Sequence, residues 1–227
     1  MIIERLNKTG STNDYIERYV KTRTSRVVSA DEQTNGKGTK GRSFLSEKGG
    51  LYASFLRFYD FFPAADSFKI MMNYSVAVVK TLRAFGINAG IKWPNDIIAN
   101  NKKICGILIK NVFCGEFVDY TIAGIGLNVN NPIDDGIKST AVSMKEILGQ
   151  DQSVDSVFFT LIKNAEEDAT AEEYSAYSIV IGKKVTVIRG DDRYQAVATA
   201  VLPDGRLQLE GGEILSAAEL DLKIRTE

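Results

Sequence analysis

The sequence predicts an α+β chain that ends in a small β-barrel. Three observations carry this. Apolar residues recur at helical spacing over 67–85, at Phe68, Met71, Met72, Val76, Val79, Leu82 and Phe85. Three β-rich segments follow, 91–99, 104–112 and 118–129, joined at Asn100–Asn101 and Cys114–Gly115 by residues suited to tight turns. A meander after a helix favours α+β over a doubly wound parallel sheet. From Ile179 onward, short strands at 183–189, 194–201, 206–210 and 213–216 are separated by glycine turns, the pattern of a small barrel.

The remaining elements follow in chain order. Residues 2–6 read as a short strand, and Ser11 to Asp14 offer caps to a helix reaching about Lys21, with Ser11 and Asp14 spaced as a capping box. Segments 27–30 and 51–58 read as strands flanking a glycine-rich loop. Ser67 caps the long helix and Gly86 ends it. Segments 139–148 and 153–174 read as helices, the second carrying a solvated acidic face. A boundary near Ser178 divides the chain into 1–178 and 179–227.

Bulk composition excludes several function classes. The 227 residues are 44% hydrophobic and 25% charged, an ordinary globular balance. A net charge of −1 gives no global attraction to nucleic acid or anionic membrane. No run approaches the roughly 18 apolar residues of a membrane span, and the N-terminus lacks the apolar core of a signal peptide. The only cysteines are Cys105 and Cys114, which read as core filler in a reduced, cytoplasmic protein. There is no histidine, so serine–histidine and cysteine–histidine nucleophiles are excluded. Chemistry must run on lysine, arginine, carboxylates, amides and backbone.

The loop 31–44, DEQTNGKGTKGRSF, packs Gly36, Gly38 and Gly41 among Lys37, Lys40 and Arg42. Such a loop can turn backbone N–H groups onto an anion while the cations neutralise it. On composition alone it reads equally as a solvated connection. Three further clusters stand out. Lys92-Trp93-Pro94-Asn95-Asp96 holds the only tryptophan, with a turn that could put Lys92, Asn95 and Asp96 on a rim. Lys103 precedes a strand interrupted by Gly106, a sign of a bulge or of close backbone approach. Gly124 and Gly126 interrupt another, ahead of Asn128.

In this order, GKGTKGR (36–42), KWPND (92–96), KICGIL (103–108) and GIGLN (124–128) resemble the biotin protein ligases, the enzymes that biotinylate a carboxylase carrier domain. Ser11-Thr12-Asn13 and Glu32-Gln33-Thr34 match two further signatures of that family. The resemblance covers nearly the whole chain. It implies a class II synthetase-like catalytic domain, a mixed sheet backed by helices, followed by an SH3-like barrel. It also implies biotin, ATP and Mg²⁺ as ligands, and the carrier domain of acetyl-CoA carboxylase or a relative as protein partner.

By the same resemblance, Lys103 meets the biotin carboxylate, Arg42 and Lys92 face ATP phosphates, and Asn95 and Asp96 belong to the nucleotide–Mg²⁺ side, with Asp96 as the metal ligand. Ser11, Thr12, Asn13 and Gln33 serve biotin. Gly36, Lys37, Gly38 and Thr39 form the closing loop, Gly106 lies under the ligand, Phe44 stacks on adenine and Asn128 reaches the nucleotide. The loop is expected to be raised or disordered without ligand.

Departures from the family pattern are specific. Lys37 and Thr39 stand where arginine is usual, so Thr39 supplies no cation to the adenylate and Lys40 is the candidate to compensate. Asp221-Leu222-Lys223 stands where Ser-Leu-Arg is usual. No stretch before Ile2 could hold a DNA-binding module, so operator binding is not expected; homodimerisation is left open. The competing readings are a ligase for lipoate or another acyl acid, a non-catalytic biotin or nucleotide sensor, and an RNA-binding barrel, which the net charge and the lack of basic aromatic surface in 179–227 disfavour.

Overall fold

The computed structural model describes residues 1–217 and the backbone of 222–226; the side chain of Lys40 lies outside what it describes. The chain runs β1 (Ile2–Thr9), α1 (Thr12–Glu17), β2 (Arg26–Gln33), β3 (Leu51–Pro63), α2 (Phe68–Ala84), β4 (Ala89–Lys92), β5 (Asp96–Ala99), β6 (Lys102–Cys114) and β7 (Phe117–Leu127). Then follow α3 (Met144–Leu148), α4 (Val154–Asn164), α5 (Ala171–Tyr177), β8 (Lys184–Arg189), β9 (Asp192–Val201), β10 (Leu207–Leu209), β11 (Ile214–Leu215) and β12 (Leu222–Thr226).

The first seven strands form one sheet in the order β1-β2-β3-β7-β6-β5-β4. β1 is parallel to β2 and the other pairs are antiparallel, so the sheet is mixed. Its two faces are unlike. On one, Val27, Phe55, Ile107, Ile125 and Leu127 join Val78, Val79 and Leu82 of α2 and Phe158 and Leu161 of α4 in the main core. On the other, Val28, Leu56 and Ile122 pack beneath Ile16 of α1, with Leu6, Tyr15, Tyr19, Val20, Phe58 and Tyr120 partly buried against them. A short helix leaves most of that face uncovered, and this is where a ligand has room.

Several elements differ from the sequence expectation, each for a local reason. Segment 91–99 is two strands, which pair antiparallel across a turn at residues 93–95; the Trp93–Pro94 bond in that turn is cis. The helix expected over 153–174 is two: α4 ends at Asn164, and a capping box of Thr170 and Glu173 starts α5 afresh. The expected box at Ser11 is absent, since its side chain makes no cap bond; Ser67 also makes none. The helix expected over 139–148 shrinks to α3, with a capping box of Ser143 and Glu146.

The C-terminal strands form an antiparallel sheet ordered β11-β10-β9-β8-β12. Among the described residues β11 and β12 are not paired with each other, so the strands form an open antiparallel sheet and not the closed barrel expected. Trp93 joins its core, packing with Val180, Val185, Val187 and Leu207. The indole N–H donates to the Gly205 carbonyl at 2.8 Å, which ties the β4–β5 turn to the small sheet. Asp221 lies outside the described residues and only the backbone of Leu222 and Lys223 lies within them, so the expected Asp221-Leu222-Lys223 departure has no side-chain account.

Candidate active site

The site begins with strand alternation. Successive side chains of a strand face opposite ways. On β7, Ala123, Ile125 and Leu127 belong to the helical core, so Gly124 and Gly126 face the open side. Pairing carries this across the sheet: Gly126 stands opposite Tyr52 of β3 and Gly106 of β6, and Gly106 opposite Asp96 of β5. Two residues along the same face, Gly124 stands opposite Ser54 and Leu108. The result is a trough floored by backbone. A Cβ on Gly126 would lie 2.6 Å from the Phe44 ring, and one on Gly124 would lie 2.4 Å from Asn13 Oδ1.

A β-bulge aims Lys103 into this trough. Residues 103 and 106 differ by an odd number, so a regular strand would put them on opposite faces. The β5–β6 register instead shifts: Ile98 pairs with Lys103 and Ile97 with Cys105, leaving Ile104 as the extra residue. Ile104 and Cys105 both enter the main core. Lys103 thereby falls on the glycine face, its Nζ about 3.1 Å from where a Gly106 Cβ would be. Re-aiming a side chain is a common use of bulges. Lys103 Nζ makes an ion pair of 2.7 Å with Asp96 Oδ1, both side chains about one third exposed (36% and 32%). Asn95, beside Asp96, is stapled to β6: its Nδ2 donates to the Ile107 carbonyl at 2.7 Å and its own carbonyl accepts from Ile107 N–H at 3.0 Å.

The far end of the trough is polar and fixed. Gln33 Oε1 accepts from the Thr12 N–H at 2.8 Å and the Thr12 hydroxyl at 3.0 Å, and its Nε2 donates to Ser46 Oγ at 2.8 Å. Ser46 passes the chain on to the Phe44 carbonyl at 2.9 Å. Ser54, fully buried, hydrogen-bonds Thr12 and Asn13. Buried hydroxyls and amides this well satisfied hold one geometry.

The glycine-rich loop forms a hairpin-like tongue. Phe44 N–H donates to the Gly36 carbonyl at 2.8 Å and Gly38 N–H to the Arg42 carbonyl at 2.7 Å. Gly36 is required where the two arms cross, since a Cβ there would lie 2.3 Å from the Phe44 carbonyl oxygen. Lys37 bonds Asp14 of α1 at 2.7 Å, strapping the tongue across the trough. The tongue is folded, with Phe44 lying on the glycine floor.

Phe44 divides the space in two. The first cavity, about 40 Å³, is lined by Ser11, Thr12, Asn13, Gln33, Lys37, Gly38, Thr39, Phe44, Asn95, Lys103 and Gly106, together with Ile107, Leu108, Gly124, Ile125 and Gly126. The second, about 370 Å³, lies between the tongue and the segment after β7, with Leu45, Pro132, Ile133 and Ile137 as apolar walls and Asn128 and Asn131 as polar ones. Only Phe44 and Lys103 line both. Asn128 Nδ2 donates to the Val142 carbonyl at 3.2 Å, and Asn128 Oδ1 accepts from Asn131 Nδ2 at 3.1 Å.

Most of the residues singled out in the sequence therefore meet around one trough. Four stand off it. Arg42 folds back on its own tongue, with Nε 3.3 Å from the Thr39 carbonyl. Gly36 lies behind the Phe44 arm, in a neighbouring groove. Asp96 touches the trough only through Lys103, and Lys92 pairs with Asp96 one strand further out. Among the described residues, no group of three or more acidic, cysteine or histidine side chains could hold a metal alone. A single carboxylate such as Asp96 fits Mg²⁺ only in company with substrate phosphates. Sequence reading missed Ser54, Ser46, Asn131, Ile133 and Ile137. Ser54 had a signal in the alternation of β3; the others depend on which loops meet.

A family model, the biotin/lipoate A/B protein ligase family, matches residues 3–128, more than half of the chain and the whole glycine trough. The chain belongs to this family. Among curated proteins, it is 37% identical over 129 residues to the bifunctional ligase/repressor BirA of Bacillus subtilis, an alignment covering 55% of this chain and 39% of that one. It is 31% identical over 119 residues to the biotin--[acetyl-CoA-carboxylase] ligase of Paracoccus denitrificans, covering 49% of this chain and 48% of that one. The chain thus matches less than half the length of these relatives. Among solved structures, the biotin protein ligase of Aquifex aeolicus in complex with biotin and ATP superposes with a TM-score of 0.82 at 24% identity, covering 100% of this chain and 99% of that one. The folds of the two, small C-terminal sheet included, are alike.

Proposed function

We propose that this protein is a biotin protein ligase: it joins biotin to ATP as biotinyl-5′-adenylate, then passes the biotinyl group to a lysine of a biotin carboxyl carrier domain. The observation that carries this reading is Lys103, whose ammonium stands where two cavities adjoin, one polar-ended and glycine-floored, the other largely apolar-walled. Two ligands lying end to end there would bring their reacting groups together at that ammonium. The names of the relatives and the biotin and ATP of the Aquifex aeolicus complex supply the identities of those ligands.

The first cavity suits biotin. Its ureido ring needs donors and acceptors, which Ser11, Thr12, Asn13 and Gln33 offer; its aliphatic tail needs a smooth floor, which Gly124 and Gly126 offer; its carboxylate meets Lys103. A bicyclic ligand does not fit about 40 Å³, so the Phe44 ring must leave the trough and stack in the second cavity, against adenine. Asn128 borders that cavity. Arg42 and Lys92 reach the phosphates as the tongue closes, with Gly36, Lys37, Gly38 and Thr39 covering the ligand. Asn95, at the edge of the first cavity, and Asp96, paired with Lys103 where the two cavities adjoin, are assigned to the nucleotide phosphates, where Mg²⁺ held by Asp96 and phosphate oxygens would draw charge from the leaving pyrophosphate.

The chemistry needs no histidine. Biotin's carboxylate, with a pKa of roughly 4, is already ionised at neutral pH. One of its oxygens attacks the α-phosphorus and pyrophosphate departs; the carrier lysine's amine then attacks the acyl carbon and AMP departs. The obstacle is repulsion between anions, which Lys103 offsets by holding both. The closed tongue keeps water from the mixed anhydride. The test is incubation with ATP, Mg²⁺ and a biotin carrier domain, read by streptavidin mobility shift, with lipoate as control acid. Biotin-dependent modification is expected, and Lys103→Ala should abolish it with circular dichroism unchanged. Lipoate attachment without biotin attachment would move the protein to the lipoate branch of its family.

A further inference from the structure

The ion pair between Lys103 and Asp96 joins the two groups that the proposed reaction assigns to opposite charges. Lys103 is to hold a substrate carboxylate, yet its ammonium already has a carboxylate at 2.7 Å. The cross-strand register enforces this: Asp96 stands opposite Gly106, whose missing side chain leaves the space the Lys103 head occupies. The bulge at Ile104 fixes the lysine stem from the other side. Lys103 backbone is also clamped, its N–H donating to the Thr140 carbonyl at 2.8 Å and its carbonyl accepting from Val142 N–H at 3.0 Å. The stem cannot retreat, so only the head can change partner.

We propose that Asp96 is an internal surrogate for the substrate carboxylate, and that activation begins with an exchange of partners at Lys103. The incoming acid takes the ammonium and Asp96 is released. A freed Asp96 carboxylate then borders the phosphate side of the site, where it can hold a divalent cation. One ion pair thereby links the two cavities: whatever draws Asp96 away strengthens the hold on the acid, and binding of the acid readies Asp96 for the cation, by the reciprocity that any such coupling obeys. The inference rests on the reading of Lys103 as the acid-binding group.

The test is calorimetric titration without nucleotide, using biotin and its uncharged alcohol, biotinol. In Asp96→Asn the ion pair no longer has to be given up, so biotin should bind about two- to fivefold more tightly than to the unaltered protein, the range of a partly exposed pair; biotinol affinity should not change. Mg²⁺ with a non-hydrolysable ATP analogue should tighten biotin binding by a similar factor in the unaltered protein and have little effect in Asp96→Asn. Lys103→Met, which keeps Asp96, should erase the preference for biotin over biotinol. Equal biotin affinity in Asp96→Asn and the unaltered protein would overturn the exchange, as would a gain shared by biotinol. Failure of both ligands to bind the unaltered protein would instead overturn the ligase reading itself.

Discussion

Thr39 is the residue at which this chain departs most from the pattern it otherwise shares. It lines the first cavity, and its carbonyl and hydroxyl both accept from Arg42, at 3.3 and 3.4 Å. Arg42 is thus parked on its neighbour rather than turned to the trough. An arginine at 39 would keep the backbone carbonyl acceptor but lose the hydroxyl one, and its guanidinium would repel that of Arg42 unless an anion lay between them. Thr39→Arg is therefore expected to prolong the life of bound biotinyl-adenylate several-fold, measured as loss of radiolabelled adenylate from the isolated complex. An unchanged lifetime would place residue 39 away from the phosphate. Cys105 carries no such role. Burial pushes its thiol up in pKa, and it packs in the main core as the sequence suggested. Cys114 is exposed at the β6–β7 turn, which the sequence reading of core filler did not anticipate.

The trough is a property of paired elements. Much of it was legible: two glycines two apart in an apolar strand must share a face, and that face must be hollow. What was not legible was the orientation of Lys103. Numbered spacing alone puts it on the helical side of the sheet, and only the one-residue slip between β5 and β6 corrects this. Register slips depend on a partner strand, which linear spacing does not record. The break between α4 and α5 was readable in retrospect from Thr170 and Glu173, whose spacing marks a helix start. Gly126→Ala tests the trough directly. Its methyl group would meet the Phe44 ring, the mobile end of a side chain, rather than backbone. The variant is expected to melt within a few degrees of the unaltered protein yet to bind biotin at least tenfold more weakly, because the floor is raised where the tail must lie. Equal loss of stability and binding would mean that the glycine serves packing alone.

At the scale of the whole molecule, the site hairpin is shared between two sheets. Trp93 is buried among Val180, Val185 and Leu207, and its N–H is bonded to Gly205. Phe68, at the start of α2, lies so close to Gly205 that a Cβ there would be 2.2 Å from its ring. We propose residues 1–178 and 179–227 as two domains that fold against each other through this seam. Trp93→Phe removes a buried donor's bond and leaves the Gly205 carbonyl without that partner. It should cost about 1–3 kcal/mol, seen as a lower thermal midpoint. It should also raise the KM for ATP, since Asn95 and Asp96 lie on the same turn. A midpoint shift with ATP kinetics unchanged would confine the seam to stability.

Because the chain has a single tryptophan, and it lies on the turn that carries Asn95 and Asp96, the protein contains its own optical reporter. Excitation at the long-wavelength edge of indole absorption would light this side chain alone, against a background of tyrosines that stay dark. Any shift of the β4–β5 turn as a ligand arrives would register as a change in emission, with no dye attached and no residue replaced, and stopped-flow mixing could time it.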